Sequence, residues 1–425
     1  MAEIKPLRAW RYNTTLSQKI DKLTSPLFDV VSEKQRFALY DYPYNSIHLS
    51  VPIGERPAEN ALRILRQWKK DGVIVQDPVP SIYVYYQYFT LPGHVQEFCR
   101  KGFICNIRLY EWDDNVILRH ENTMPKSVND RSSLLAKTEL NVSATHGLFF
   151  DDSFELEPYM DRSMQHPVYH TEDYQGVRDV LSVIQDKDII NRFVAKMKDK
   201  RVILADGHHR YAGALDFRKA MMTDNPHHNG DEEYNFHLMY LTNTESDDLR
   251  ILPTHRLIKG LDNFNESAIL DKMHQNFTVE PLTNACDIDA VILGRKWTFG
   301  VLFKENAYRI RLKPEVFASM RWNLPAQIKN LDLTVMHYFI IEDILGIPGA
   351  LQNKSECIEY QRNFPECLSR VVKSEAQMAL ITRNISINDV KTVCHSGCTM
   401  PTKSTFFYPK VVCGFVFGSI REGEN

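Results

Sequence analysis

A short apolar run that leads directly into a polar, histidine-rich hexapeptide constrains this chain more than any other feature. The run covers residues 202–205, and the hexapeptide that follows reads Asp206-Gly207-His208-His209-Arg210-Tyr211. A brief apolar run that starts with β-branched residues and is bounded by a Gly predicts a buried strand. Residues 212–222 place apolar side chains at helical spacing, which predicts an amphipathic helix. The sequence therefore predicts a strand, a tight turn and a helix.

The residues of this turn favour an anion such as phosphate. Gly207 permits a sharp change of backbone direction, and the amides at the start of a helix point towards whatever lies beyond it. His208, His209 and Arg210 add side-chain donors that suit phosphate oxygens. The alternative is a polar turn that carries surface histidines, and the chemistry of these residues leaves both interpretations open.

Size and composition exclude several classes of protein. A chain of 425 residues is too long for one ordinary core, so two or three lobes are expected. The net charge of −3 and the lack of a basic run argue against nucleic-acid binding. No apolar stretch approaches the ~20 residues of a membrane span, and the N-terminal residues do not resemble a signal peptide. Eight scattered cysteines favour a reducing, cytoplasmic location.

Strand-like and helix-like segments alternate irregularly, which predicts an α+β or mixed α/β fold with two lobes. The first lobe would span residues 1–259 and the second residues 260–425. Helices are expected over 60–70, 266–275 and 333–345, and strands over 81–90, 101–112, 233–241, 297–303, 308–312 and 411–417. Residues 151–175 are acidic and weakly patterned, and predict a long surface loop.

A second polar cluster follows the strand-like residues 116–118. It contains His120, Glu121, Lys126, Asp130 and Arg131. A carboxylate beside cations can act as a general base for a hydroxyl or help to hold a metal ion. Lys126 and Arg131 could neutralise phosphoryl oxygens. A solvated polar loop is the alternative interpretation of the same charges.

Residues 397–404 nearly match a P-loop but fail at Thr402, where the loop requires Gly. A P-loop ATPase is therefore not expected, although Lys403 and Ser404 remain candidates for contacting phosphate. Two further segments contain residues that bind metals, namely Cys394 with Cys398 and the stretch from His227 to His237. Inert thiols and an exposed loop are the favoured interpretations, and metal binding at either place stays open.

Several motifs in order along the chain resemble those of domain-of-unknown-function family 1015, a bacterial and archaeal family. Besides the hexapeptide they are Pro6-Leu7-Arg8, Arg11-Tyr12-Asn13, residues 25–30, Tyr44-Asn45, Trp68, Asp71-Gly72-Val73, residues 120–131, Asn141-Val142-Ser143, residues 252–256 and residues 400–410. The chain departs from the family pattern at Leu27 and Thr402. More distantly, the hexapeptide resembles the phosphate-binding turn of the ParB and sulfiredoxin superfamily, which includes free L-serine kinases.

The distant resemblance implies a ParB/sulfiredoxin-like phosphate site and a nucleotide-dependent phosphotransferase, with L-serine and O-phospho-L-serine as the favoured pair. ADP or ATP would be the co-substrate and Mg²⁺ the cofactor. A non-enzymatic nucleotide-binding switch of ParB type and a metal-dependent phosphohydrolase are the alternatives. A homodimer is a further expectation, with neither nucleic acid nor membrane as a partner.

On this interpretation the expected site residues fall into three groups. Catalytic roles are assigned to Glu121, Asp206 and His209, and Glu121 or Asp206 could also bind the metal. Contacts with the nucleotide phosphates are assigned to Gly207, His208, Arg210, Lys126, Arg131, Lys403 and Ser404.

Overall fold

The computed structural model describes residues 1–28, 30–91, 95–401 and 403–424 and divides into two compact units. Unit 1 comprises Met1–Arg250 and Pro409–Asn425, and unit 2 comprises Ile251–Tyr408. The predicted lobes differ from this division in two ways, because the break follows Arg250 and because the C-terminal tail belongs to unit 1. The tail does so because Val411, Phe415 and Phe417 are buried in a hydrophobic cluster of that unit.

The strands, β1 to β21 in chain order, are Ile4–Lys5, Trp10–Tyr12, Ile74–Gln76, Ile82–Thr90, Glu97–Arg108, Ile117–Arg119, Leu140–Asn141, Thr145–Phe149, Tyr169–Glu172, Arg178–Ile184, Val202–Asp206, Phe236–Asn243, Arg250–Ile251, His255–Ile258, Phe277–Leu282, Thr298–Leu302, Ala307–Leu312, Ile358–Gln361, Met378–Ile381, Phe407–Tyr408 and Gly418–Ser419. The helices, α1 to α15, are Ile20–Leu23, Glu33–Tyr40, Ile47–Ser50, Pro57–Lys70, Pro125–Thr138, Glu157–Ser163, Lys187–Met197, His208–Asp224, Glu266–Asn276, Ile288–Ile292, Ala326–Lys329, Asp332–Val335, Gly349–Gln352, Phe364–Val372 and Ile387–His395, and a π-helical stretch covers Met336–Ile344.

Unit 1 is built on a mixed sheet that, in the part of the chain described, has nine strands. Its order is β6-β11-β8-β12-β5-β4-β10-β9, with β1 paired to β5. The pairs β6–β11 and β8–β12 are parallel, and the other pairs in this sheet are antiparallel. Alternate residues of β4 contribute to two separate hydrophobic clusters, with Val84 in one and Tyr85 in the other. The sheet is therefore covered on both faces, as the period of two in a strand requires.

The predicted strand, turn and helix around the hexapeptide are confirmed. β11 ends at Asp206, and α8 begins at His208, four residues before the start predicted from the apolar spacing. The second polar cluster has the same arrangement, because β6 is followed by a short loop and then by α5. The helices α5 and α8 pack against each other closely at Gly213, where an added Cβ would lie 2.9 Å from the backbone nitrogen of Ser132.

Unit 2 contains a second sheet, which is antiparallel throughout its described strands. Its order is β15-β17-β16-β19-β14-β18. The predicted hairpin is present as β16 and β17. The helix predicted over 333–345 is α12 followed by the π-helical stretch, and its His337 is buried with Nδ1 2.6 Å from Oε1 of Gln352.

Other sequence predictions are confirmed with small shifts of boundary, namely α4, α9, β4, β5 and β12. Two predictions were wrong. The segment 151–175 is not one long loop, since it contains α6 and β9, and β9 gains its order by pairing with β10. Residues 411–417 do not form the expected strand, because this stretch meets its neighbours only through isolated bridges such as Ser25 with Cys413.

Within the described ranges, no helix combines the length and the apolar character needed to cross a membrane.

We predict that Gly213→Ala destabilises the protein, although Ala favours a helix by about 1 kcal/mol over Gly. The new methyl group would meet backbone atoms of α5, and such overpacking costs roughly 1–3 kcal/mol. Thermal or denaturant unfolding measures the change. Asp216→Ala, at an exposed position of the same helix, is the matched control and should be neutral or slightly stabilising. Equal stabilisation by both variants would show that the two helices are not in close contact.

Candidate functional site

The pairing of strands brings the two polar motifs to one edge of the sheet in unit 1. β6 and β11 run parallel, and their last paired residues are Arg119 and Leu204. His120 and Asp206 come just after these two residues, so they lie at the same end of the two strands. β8 runs antiparallel to β11, with His146 opposite Asp206, so the chain enters β8 at this edge through Ser143 and Ala144. Ligands of open α/β sheets commonly bind outside the carboxyl ends of parallel strands.

Gly207 makes the turn between β11 and α8 in a conformation that other residues rarely adopt. Its φ is +90°, and an added Cβ would lie 2.6 Å from Cγ2 of Thr145. Gly207 is the N-cap of α8 and makes no side-chain cap hydrogen bond, because it has no side chain. The first-turn amides of α8 and the positive end of its dipole lie at this edge of the sheet, where they would favour an anion.

Asp206 is held between two cations. Oδ2 accepts a hydrogen bond from Nη2 of Arg210 at 2.8 Å, and Oδ1 forms an ion pair with Nζ of Lys410. Burial alone would raise the pKa of Asp206, but the charges of Lys410 and Arg210 outweigh it and hold the pKa well below its usual range. Such a carboxylate is a weak base, so these contacts favour Asp206 as the group that positions two cations over its predicted role as a base.

Arg210 is oriented by contacts on both sides of its guanidinium group. Besides Asp206, it donates from Nη1 to Oγ of Ser143 at 2.9 Å and to the carbonyl oxygen of Ala144 at 2.7 Å. Its side chain is buried, and its Nε has no hydrogen-bond partner within the residues described. These contacts fix the guanidinium group of Arg210 beside the residues that precede β8.

His208 is buried and stays neutral at physiological pH. Burial lowers its pKa far below the usual range, and nearby His120 lowers it further. The two rings meet edge to face with centroids 4.7 Å apart, and burial also lowers the pKa of His120 to about 4. Nε2 of His208 is buried without a hydrogen-bond partner in the described parts of the chain. Any phosphate contact from His208 would therefore be made by a neutral imidazole.

His209 joins the two motifs directly. Its Nε2 accepts a hydrogen bond from the backbone N–H of Met124 at 3.1 Å, and Met124 is the N-cap of α5. The beginnings of α5 and α8 thus lie side by side. Glu121 is half-buried in the loop that leads to α5, and Lys126 is exposed in its first turn.

Arg131 lies further along α5, beside a cavity that also contacts Arg210. Its Nη1 donates to the carbonyl oxygen of Ser50 at 2.8 Å, it forms an ion pair with Asp130, and its guanidinium carbon lies 4.5 Å from the centre of the Phe28 ring. Arg131 and Arg210 both line a small cavity of about 40 Å³. Arg131 and Arg210, which belong to different sequence motifs, therefore line the same cavity.

Lys403 and Ser404 belong to unit 2, whereas the other predicted site residues belong to unit 1. Ser404 is buried and donates its hydroxyl hydrogen to the carbonyl oxygen of Pro401, and Lys403 is exposed with a φ of +58°. Thr402 lies outside the described residues. The phosphate-binding roles of Lys403 and Ser404 stay predictions.

Lys410 is the site residue that the sequence prediction missed. It ends the last motif of the family resemblance, and that position was the available signal. A buried polar network fixes the backbone beside it, because Arg100 donates to the carbonyl oxygen of Pro409 and Gln87 donates to that of Lys410 at 3.0 Å. Gln87 also donates to Oδ1 of Asp179 at 2.8 Å. This network holds the tail where Lys410 can reach Asp206.

No group of three or more His, Cys, Asp or Glu side chains is arranged to hold a metal ion in the described ranges. Among these described side chains, neither Cys394 with Cys398 nor the stretch from His227 to His237 forms such a group. In that stretch His228 instead pairs with Glu232 at 3.0 Å, and His237 is buried at the start of β12. A metal at the main site would need oxygen ligands from a bound phosphate in addition to protein carboxylates.

We predict that Lys410→Met destabilises the protein, by up to roughly 3–5 kcal/mol at neutral pH, because it removes a partner of a buried charge. The depressed pKa of Asp206 contributes stability above the unfolded pKa of about 4, and that stability is lost as the pH falls. The cost should therefore shrink in acid and in the Asp206→Asn background. Unfolding experiments on the double-mutant cycle measure it, with Lys198→Met, at the exposed residue that follows α7, as control. Equal costs with and without the Asp206 carboxylate would refute the pairing.

We predict a pH-dependent effect of Asp179→Asn. Burial raises the pKa of Asp179 to about 7, even though Tyr85 and Gln87 donate hydrogen bonds to it. Between pH ~4 and 7 the folded chain holds a proton that the unfolded chain releases, so wild-type stability falls by up to ~1.4 kcal/mol per pH unit as the pH rises. The variant lacks this loss, and its stability relative to wild type should increase up to pH 7 and then level off. A stability difference that does not vary with pH would contradict the assignment.

Comparisons with known proteins show what this chain is similar to. Solved structures that match include a conserved hypothetical protein from Pyrococcus furiosus, with 11% identity, a TM-score of 0.36 and coverage of 72% of this chain and 92% of that chain. A free serine kinase in complex with AMP matches with 12% identity, a TM-score of 0.36 and coverage of 72% and 91%. SbnI with C-terminal truncation from Staphylococcus aureus matches with 12% identity, a TM-score of 0.36 and coverage of 76% of this chain and 90% of that chain.

Among curated proteins, none matches the sequence. The family described as "Protein of unknown function (DUF1015)" matches residues 4–334, a range that contains both polar motifs and most of the chain. This protein therefore belongs to the DUF1015 family, as its ordered motifs predicted.

Proposed function

We propose that unit 1 binds the phosphate groups of ADP or ATP at the paired beginnings of α5 and α8 and transfers a phosphoryl group between the nucleotide and a small hydroxyl metabolite. The favoured pair is L-serine and O-phospho-L-serine. This choice rests on the resemblance of the hexapeptide to the phosphate-binding turn of the superfamily that includes free L-serine kinases.

One observation carries the proposal. Two helices begin beside each other at the carboxyl ends of two parallel strands, and the N–H of Met124 bonds to His209 where they meet. The positive ends of two helix dipoles converge there, with Lys126 at the start of α5. Such an edge attracts phosphate, and phosphoryl transfer depends mainly on positioning and on neutralising charge.

Glu121 is the residue that we assign as the general base. Asp206 is tied to Lys410 and Arg210, whereas Glu121 lies half-buried in the loop between β6 and α5. A carboxylate there could accept the proton of an acceptor hydroxyl. His209, whose Nε2 accepts the N–H of Met124, would position the loop that carries Glu121.

The donor set fits a magnesium ion only in part. Both oxygens of Asp206 contact cations, so Asp206 does not suit a metal, and Glu121 is the protein group that would hold it together with phosphate oxygens. Magnesium is commonly bound by one or two carboxylates and the phosphates of a substrate. When bound, it would neutralise charge on the phosphoryl oxygens.

The rival functions differ from this proposal in their chemistry. A nucleotide-binding switch would use the same helix ends and transfer nothing. A metal-dependent phosphohydrolase would transfer the phosphoryl group to water and would release inorganic phosphate without a nucleotide. A homodimer and the absence of a nucleic-acid partner stay predictions.

The direct test incubates the full chain with ADP or ATP, magnesium and a panel of small hydroxyl metabolites, and follows products by mass spectrometry. The panel should include L-serine, and O-phospho-L-serine should be supplied with ADP or AMP to detect the reverse direction. We expect nucleotide-dependent phosphoryl transfer to or from one acceptor. Nucleotide binding without transfer to any acceptor would favour the switch, and release of inorganic phosphate without a nucleotide would favour the hydrolase.

We predict that Glu121→Gln lowers turnover by about 10²–10⁴-fold, because loss of a general base typically has this effect. Nucleotide affinity in calorimetry should stay close to wild type, since Gln keeps the shape of Glu but accepts no proton at neutral pH. Glu172→Gln is the matched control, because it lies exposed on β9 at the opposite edge of the sheet. If Glu121→Gln retains normal turnover, Glu121 is not the base. If magnesium dependence and nucleotide affinity fall together, Glu121 is a metal ligand.

A further inference from the structure

The small cavity between Arg131 and Arg210 has the chemistry of an oxyanion site. Its described lining contains these two guanidinium groups and no carboxylate, and polar side chains of Ser50, Asn141 and His237 also face it. The remaining walls are mainly apolar, with Leu134 among them. The guanidinium group of Arg210 is buried, and attraction between charges is screened less in such surroundings than in water.

Buried donors without partners indicate that the cavity is built for a ligand rich in acceptor atoms. Nδ2 of Asn141, Oγ of Ser50, Nε of Arg210 and both ring nitrogens of His237 have no hydrogen-bond partner among the described residues. These four side chains are more than nine-tenths buried. Burying polar groups unpaired is unfavourable, and most of these atoms are donors.

The size of the cavity limits the ligand that it can hold. Its volume is about 40 Å³, which suits a carboxylate or a single phosphate group but not a nucleoside. Arg210 connects the cavity to the edge of the sheet, because the same side chain pairs with Asp206 at the end of β11. A ligand held by its anionic end in the cavity would therefore lie beside the beginning of α8.

We propose that this cavity binds a small oxyanion and that in the proposed reaction the oxyanion is the carboxylate of a hydroxy-acid acceptor. The second part rests on the proposed function, whereas the first does not. Arg131 and Arg210 then select the acceptor, and the amides of α8 are left for the nucleotide. An acceptor without an anionic group would leave the donors of the cavity unpaired and would bind weakly.

The test is calorimetric titration of the full chain, without nucleotide, using L-serine, L-serinamide and inorganic phosphate as separate probes. Arg131→Gln removes one cation of the cavity and should weaken L-serine binding by roughly 10- to 100-fold, the effect of losing a hydrogen bond to a charged group. L-Serinamide, which lacks the carboxylate, should bind weakly to both proteins. Because this proposal assigns Arg131 to the acceptor and not to the nucleotide phosphates as the sequence predicted, ADP affinity should be unchanged in the variant.

Lys137→Gln is the matched control, because it removes one positive charge from the same helix at a residue that pairs with Glu59 at 3.7 Å and lies outside the cavity. It should behave as wild type. Asn141→Ala provides a second test that keeps both guanidinium groups, and it should weaken L-serine binding in the same direction if Arg131→Gln does not fold.

Each outcome decides one part of the proposal. Binding of inorganic phosphate but not L-serine, with the same dependence on Arg131, would overturn the carboxylate assignment. Binding of every probe that is unaffected by both variants, or no binding at all, would overturn the oxyanion site. L-Serine binding that depends on Arg131 in a protein that transfers no phosphoryl group would support the cavity and refute only the proposed function.

Discussion

The parallel pairing of β6 with β11 is the constraint on which the candidate site depends. Each strand is followed by a helix, so parallel pairing forces both helices to begin at the same edge of the sheet. Gly213 then lets α8 approach α5 so closely that an added Cβ would meet the backbone of Val128 and Ser132. With an antiparallel pair, the two polar motifs would lie at opposite ends of the sheet, and neither the bond from Met124 to His209 nor the shared cavity could form.

The charged groups of the site are held in place partly by residues that lie elsewhere in the sheet. Asp206 holds Lys410 and Arg210 in place, and the backbone beside Lys410 is fixed by Arg100 and Gln87 from the middle of the sheet. The buried carboxylate stabilises the two cations, and the cations in turn keep it ionised. Asp206 is therefore suited to positioning Lys410 and Arg210. We therefore propose that Glu121, on the neighbouring loop, accepts the proton.

The sequence predicted what depends on local patterns. An apolar run, a Gly and a helical repeat were enough to predict β11, the turn and α8, because neighbouring residues determine each of these features. Lys410 could not be assigned in the same way, since it reaches Asp206 across more than two hundred residues of chain. The wrong strand over 411–417 has the same origin, because its apolar residues are buried against a sheet that they do not join. Local pattern also cannot show that the pKa of His208 is lowered, since this follows first from burial in the folded chain and then from the nearby His120.

Hydrogen–deuterium exchange with and without nucleotide tests the central claim most directly, because it reports on backbone amides at the helix ends. On adding ADP or ATP with magnesium, we expect slower exchange in peptides that cover residues 206–212 and, together with them, residues 120–128. Peptides from β9, at the opposite edge of the same sheet, should be unaffected. Slower exchange confined to other parts of the chain, with both helix ends unchanged under saturating nucleotide, would contradict the account.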